Sequence, residues 1–162
     1  MPVLSRGGED DRAAAARKLL EDWAADPHAG ADRAGSYAGI IVWQLQVLRA
    51  RGGRALCAFT VPRYLTDGDG NWRAGAIAAL IDNVGAAAIV SSSGILDVSV
   101  DFTISYFSPA KAEEEVEIEA AVLGHHGKVS CVEVIIRKKD GGALVAVGKQ
   151  WMSSNIPTKS KL

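Results

Sequence analysis

The sequence predicts an α+β fold: an antiparallel sheet of about six strands laid against one long buried helix, with an extra helix at the N-terminus. Three observations carry this. The stretch NWRAGAIAALIDNVGAAAIV, Asn71 to Val90, is apolar on nearly every side and long enough only for a helix. Four segments after it follow one another through turn-forming residues, with apolar and polar positions alternating most clearly in the first two. The 162 residues, 48% of them hydrophobic, suffice for one domain with a substantial core.

Each element follows from its own residues. DRAAAARKLLEDWAAD reads as the first helix, because alanine is the best helix former and Leu19, Leu20 and Trp23 share a side. Pro27 ends it, and HAGADRAGSYAG is a loop. GIIVWQLQVLRA and GRALCAFTVP read as two strands around the hairpin signal Arg51-Gly52-Gly53, the second closed by Pro62. TDGDGN is rich in turn formers and leads into the apolar helix. In ILDVSVDFTISYF, Val98, Val100, Phe102, Ile104 and Tyr106 alternate with Ser99, Asp101, Thr103 and Ser105, the period of a half-buried strand. SPAKAEE turns the chain into EVEIEAAVL, with Val116, Ile118, Ala120 and Val122 on one face. GHHGK then turns it into VSCVEVIIRK, and Asp140-Gly141-Gly142 into the final strand, ALVAVGKQWMSS.

The bulk properties exclude several classes. The net charge is −1 and the basic residues are dispersed, so there is no basic stripe for nucleic acid. Cys57 and Cys131 fit neither a CxxC nor a zinc pattern and read as free thiols of a reducing compartment, with a disulfide left open. No group of residues has the look of a metal site, and no Gly-rich phosphate loop follows a strand, so no cofactor is expected. The apolar run from Ala74 is expected to fall short of the ~20 residues of a membrane span, and it contains Asp82. The N-terminus lacks an apolar signal core, and Glu9, Asp10 and Asp11 argue against an acid-poor transit peptide. Ser160-Lys161-Leu162 matches the address that a peroxisomal import receptor reads, against the alternatives of a chance tripeptide and a cytoplasmic protein.

On a helical projection the apolar run has two faces. Ile77, Leu80, Ile81, Val84 and Ala88 form a mostly bulky one, suited to packing on a sheet. Gly75, Ala78, Ala79, Asp82, Gly85 and Ala86 form a small one with Asp82 in its middle. Such a face admits close approach, either by another copy of the chain or by a ligand in a narrow slot. Asp82 itself reads either as a general base or as a structural carboxylate bonded to a neighbouring strand or loop. At the helix start, the unpaired amides near Arg73, Ala74 and Gly75 make an anion site. Asp82 is ~12 Å further along the axis, so one helix cannot bring both features to one atom, whereas two antiparallel copies can. Arg73 lies two and a half turns from Asp82 and cannot neutralise it within the chain.

GNWRAGAIAALIDNVG followed by VSVDFTISYFSPAK resembles the hotdog-fold acyl-CoA thioesterases, both the phenylacetate-degradation type and the animal enzymes of similar size, within the 4-hydroxybenzoyl-CoA thioesterase superfamily. The resemblance spans residues 36 to 153. It implies a curved sheet wrapped around the long helix, dimers that pair into tetramers, and three segments: an N-terminal helix and linker (1–35), a thioesterase-like domain (36–155) and a tail (156–162). In the family motif N-x-x-G-T-L-H-G-G, the catalytic acid further along the helix falls on Asp82. The serine of the S-V-D strand falls on Ser99, the first glycine on Ala74 and the second on Gly75. The histidine falls on Arg73 and the asparagine on Asp67, with Asn71 as its substitute after a loop shift. Alanine keeps the backbone N–H of the first glycine and adds a methyl. Arginine replaces a neutral imidazole by a fixed charge, and an ionised Asp67 cannot donate as asparagine does.

The resemblance implies hydrolysis of an acyl-CoA, with the Ala74 amide polarising the carbonyl, the partner chain's Asp82 activating water or attacking directly, and Ser99 orienting it. A hotdog hydratase or dehydratase and a non-catalytic acyl-CoA-binding protein are the alternatives. His125 and His126 fall in a predicted turn and read as solvated. Lys128, Arg137, Lys138 and Lys139 are candidates for CoA phosphates, and otherwise solvated strand ends. Trp43, Trp72 and Trp151 read as packing residues, Trp72 being the best placed of them to meet a ligand because it precedes the helix start.

Overall fold

The computed structural model of the chain describes residues 3–26 and 38–154. Pro27 and the terminal Ser160-Lys161-Leu162 lie outside the described residues. The elements in order are α1 (Glu9–Ala25), α2 (Ala38–Val42), β1 (Gln46–Arg51), β2 (Arg54–Thr60), a 3-10 turn (Arg63–Leu65), α3 (Ala74–Ser93), β3 (Val98–Tyr106), β4 (Glu115–His126), β5 (Val129–Lys138) and β6 (Leu144–Ser153). The six strands form one antiparallel sheet in the order β1-β2-β4-β5-β6-β3, so β1 and β3 are its edges. This is the α+β hotdog architecture, a sheet around the central helix α3 with α1 packed alongside.

Two expectations about elements are corrected. The segment GIIVWQLQVLRA is not one strand: Ala38–Val42 is a short helix, and the strand begins only at Gln46. Gln44 between them has a positive φ of 67°, and this break in direction separates the two. His125 and His126 are not turn residues but the last two of β4, paired with Ser130 and Val129. The turn shrinks to Gly127-Lys128, with Gly127 at φ 60°.

The first turn of α1 carries Glu9, Asp10 and Asp11, which suit the positive end of the helix dipole. Asp11 also accepts the Gly8 N–H at 3.0 Å. Arg51 at the end of β1 pairs with both Glu9 and Asp10, tying the helix start to the β1–β2 hairpin. Leu20 of α1 is fully buried in the main core, so this helix shares the core of the sheet.

With 20 residues and a mean hydropathy of 1.6, α3 is long and apolar enough to cross a membrane, contrary to the shorter run expected. Instead the chain's own fold buries it: Ile77, Leu80, Ile81, Val84 and Ile89 lie in one core with Val116, Ile118, Val134 and Ile136 of the sheet. Gly148 of β6 permits the close approach, since a Cβ there would lie 2.6 Å from Ile81 Cγ2. Gly94 ends α3 in the left-handed conformation, φ 73°, with its N–H on the Val90 carbonyl.

Candidate functional site

The small face of α3 is divided by the fold. Ala74 and Gly75 are exposed, Ala78, Ala79 and Asp82 are half-buried, and Gly85 and Ala86 are buried. Only the first half of this face is therefore open to a partner or ligand. Gly85 lies instead against the chain's own β5 and β6, where its missing side chain leaves room for Gln150, Val132 and Val134.

Asp82 has its partners in its own chain. Ser99 Oγ of β3 donates to Asp82 Oδ1 at 2.6 Å. Gln150 Nε2 of β6 donates to the same oxygen, and also to Ser99 Oγ at 2.7 Å. The second carboxylate oxygen, Oδ2, accepts no hydrogen bond among the described residues. A half-buried carboxylate with one oxygen held by two donors and the other open can accept a proton from water or attack an electrophile.

A bulge sets up this arrangement. In the β3–β6 ladder Ser99 pairs with Met152 and Asp101 with Trp151, leaving Val100 as the extra residue. The bulge reverses the alternation, so Ser99 reaches α3 although strict period two sets it opposite Phe102 and Ile104, which pack on the core. Val100 is pushed outward and is 58% exposed.

The start of α3 is open. The N–H groups of Ala74 and Gly75 find no acceptor among the described residues, while Ala76 and Ile77 both donate to the Arg73 carbonyl. Tyr106, at the far end of β3, donates from its hydroxyl to the Ala74 carbonyl at 3.0 Å and so pins the helix start to the edge strand. A cleft of about 270 Å³ lies beside it, lined by Trp72, Ala74, Ile77, Tyr106, Phe107, Ser108 and Pro109. Two free amides at a helix N-terminus next to an apolar cleft can polarise a carbonyl whose substituent lies in the cleft.

The remaining candidates take other places. Asp67 is exposed and organises its own loop: Oδ1 accepts the Asp69 and Asn71 N–H groups and Oδ2 the Asn71 side-chain amide. These bonds, the Asn71 backbone N–H above all, hold its carboxyl below the usual range. Asn71 is committed to the same loop. The exposed Arg73 occupies the N-cap position of α3 without a side-chain cap, its Nε donating instead to the Thr66 carbonyl of the preceding loop at 2.8 Å. Trp72 is only 5% exposed and its ring packs on Phe59, so it is largely a core residue that forms one wall of the cleft. Lys128 lies in the β4–β5 turn at the Ser99 end of the sheet, where its carbonyl accepts the Ser154 N–H. Both cysteines are free and buried, and burial pushes the Cys57 thiol up to about 12, so it is no nucleophile at neutral pH. Among the described residues no cluster of His, Cys, Asp and Glu could hold a metal.

Gln150 is the site residue that the sequence reading passed over. Its signal was present: it shares strand parity with Ala146, Gly148 and Met152, all inward-facing, so a polar amide stands where period two demands an apolar side chain. It is fully buried.

Within one chain, the amide end and the acid end of this site stay apart. Asp82 lies eight positions after Ala74 in α3, ~12 Å along the axis. Between them runs the open half of the helix, bordered by edge strand β3, whose Val98, Val100 and Tyr106 are exposed together with the following Phe107.

The profile of the thioesterase superfamily matches residues 70–145. Human acyl-coenzyme A thioesterase 13 is 31% identical over 110 residues, 67% of this chain and 79% of that protein. The crystal structure of zebrafish thioesterase superfamily member 2 superposes with a TM-score of 0.75 at 28% identity, covering 86% of this chain and 97% of that one. The fold is also that of the Escherichia coli PaaI protein from the phenylacetic acid degradation operon, with a TM-score of 0.67, 16% identity and coverage of 90% and 97%.

Proposed function

The chain belongs to the thioesterase superfamily, and from that premise we propose that it hydrolyses an acyl-CoA to the free acid and CoA. The observation that carries the proposal is Asp82, held at one oxygen by Ser99 and Gln150 and open at the other. The relation to acyl-coenzyme A thioesterase 13 supports the substrate class.

The proposed reaction needs two chains. Antiparallel pairing along the open half of α3 and the exposed edge of β3 brings the Ala74 and Gly75 amides of one protomer to Asp82 of its partner. The exposed Val98, Val100, Tyr106 and Phe107 would then be covered. The Ala74 amide polarises the thioester carbonyl. Asp82 Oδ2 takes a proton from water, whose oxygen bonds to the carbonyl carbon, and the resulting oxyanion is stabilised by the amide. The C–S bond then breaks, and the thiolate of CoA leaves and takes up a proton. Direct attack by Oδ2 is the other route, through an anhydride that water opens. Lys128, Arg73 and Gly75 are proposed to border this composite site and to meet the substrate. Trp72 contributes a wall. The Asp67–Asn71 unit shapes the loop before the helix start and is proposed to act on the substrate only through that shape.

Thiol release from a panel of acyl-CoAs, with Asp82→Ala as control and sedimentation to read the assembly, tests this. Release that disappears in Asp82→Ala, from a dimer or a tetramer built of two dimers, is the expected result. A monomeric protein, or activity indifferent to Asp82, overturns it. Saturable CoA-ester binding without release supports a non-catalytic acyl-CoA-binding protein instead. That reading is favoured by Arg73 at the histidine position and by the engagement of the Asp67 carboxylate in its own loop. We further propose that Ser160-Lys161-Leu162 directs the protein to peroxisomes. A fluorescent fusion at the N-terminus should be punctate with this tripeptide and diffuse without it.

A further inference from the structure

We infer that Gln150 is the positioning residue of the site: its side-chain amide locks the Asp82 carboxylate so that Oδ2 alone faces the reacting groups, and Gly85 exists to seat that amide. The inference rests on the proposed hydrolysis for its kinetic meaning, while the lock itself is a property of this chain.

Gln150 is fully buried on the inner face of β6. Its two N–H bonds go to Asp82 Oδ1 and Ser99 Oγ, and the Ser99 hydroxyl hydrogen also goes to Asp82 Oδ1. The three side chains thus form a closed triangle in which every donor has a defined acceptor. Rotating the carboxylate gives up both bonds at Oδ1. Flipping the amide sets its oxygen against a carboxylate oxygen, acceptor against acceptor.

The other end of the amide shows what this arrangement costs. Gln150 Oε1 is buried and finds no donor among the described residues. A core strand position normally avoids an unpaired acceptor, and an apolar residue of the same length would fill the space without it. The chain keeps the amide, whose two satisfied contacts are both with the catalytic candidates. The position of Oε1 also explains Gly85 within a helix that is otherwise alanine-rich. A Cβ at residue 85 would lie 2.7 Å from Oε1, too close for both to keep their places. Val132 Cγ1 would lie 3.2 Å from the same Cβ, so Gly85 serves the close fit of α3 to the chain's own sheet and amide rather than a surface for association.

The test uses the full chain and four variants: Gln150→Leu, Gly85→Ala, the double variant, and Asp82→Ala. For thiol release from an accepted acyl-CoA, Gln150→Leu should lower kcat about 10- to 50-fold with KM within about threefold, since the lock acts on the reacting group and not on substrate affinity. Gly85→Ala should displace the amide and lower kcat in the same direction. Once Gln150 is gone, adding Gly85→Ala should cost less than about threefold more, a non-additivity that two independent packing defects do not give. A second readout needs no turnover. The Gln150 side-chain amide protons, observed by 15N NMR, should lie downfield in the parent and move towards the free-amide position in Asp82→Ala and in Gly85→Ala.

A Gln150→Leu variant that keeps kcat within twofold of a folded, active parent overturns the inference, as do amide resonances unchanged in Asp82→Ala. If the parent releases no thiol from any acyl-CoA, the proposed reaction fails. The NMR comparison then decides alone whether Gln150 holds the carboxylate.

Discussion

Ser99 Oγ meets Asp82 Oδ1 at 2.6 Å, joining the middle of α3 to the start of the edge strand β3. The contact exists because the chain inserts Val100 as a bulge directly after the serine, which turns Ser99 inward while Phe102 and Ile104 keep their places on the core. The helix acid and the strand hydroxyl are 17 residues apart in the chain, and only their packing makes them one unit.

Ser99→Ala should leave the fold intact and lower kcat about 10-fold or more, because Gln150 still holds Oδ1 while one charge-assisted hydrogen bond is lost. Steady-state thiol release at saturating acyl-CoA checks this. An unchanged kcat would remove Ser99 from the mechanism.

Tyr106→Phe removes the hydroxyl that pins the Ala74 carbonyl. A single neutral hydrogen bond is worth about 0.5–1.5 kcal/mol, so the expected loss in unfolding free energy is of that size. Freeing the first turn of α3 should loosen the amides it presents, and faster hydrogen exchange at Ala76 and Ile77, whose amides are bonded, is the accompanying measurement.

Gly148→Ala places a methyl 2.6 Å from Ile81 Cγ2, between the strand and the core helix. Overpacking of this kind costs about 1–3 kcal/mol, and chemical denaturation should show it as a lower midpoint. Gly124→Ala is the control, since a Cβ there meets nothing within 4 Å.

Asp97 is buried just ahead of β3, where it accepts from Ser130 Oγ at 3.3 Å, and Ser130 in turn contacts His125 Nδ1 at 2.9 Å. Burial raises the Asp97 carboxyl above its ordinary value, against the smaller opposing effects of Ser130 and His125. A raised folded-state value means that the folded chain holds this proton more tightly than the unfolded chain. The stabilisation is fully present below about pH 4 and is lost as pH rises through the folded-state value. Asp97→Asn should therefore match the parent near pH 3.5 and gain on it towards neutral pH. Thermal melts across that range test the sign, and a difference independent of pH contradicts it.

Much of the architecture was legible in the residues alone. The length and all-round apolarity of Ala74–Ser93 determine a core helix, because no other packing buries so much apolar surface. The alternation of Val116, Ile118 and Ala120 determines which face of β4 turns to that helix, and all three are fully buried. The acid at position 82 and the amides at 74 and 75 were also visible as candidates, since a lone carboxylate in an apolar helix and an open helix start each have a physical meaning before any partner is known.

Tertiary structure alone decided how those parts are used. Local pattern cannot announce a bulge, so strict period two set Ser99 on the wrong face, and only the β3–β6 register turned it to Asp82. The small face of α3 looked uniform in projection, yet the sheet covers Gly85 and Ala86 and leaves Ala74 and Gly75 open. Gln150 lies 68 residues beyond Asp82, and hydrogen bonds across such a separation follow from strand order and packing, not from any periodicity in the chain. Periodicity reports which face a residue takes within its own element, whereas the meeting of two elements depends on the whole fold.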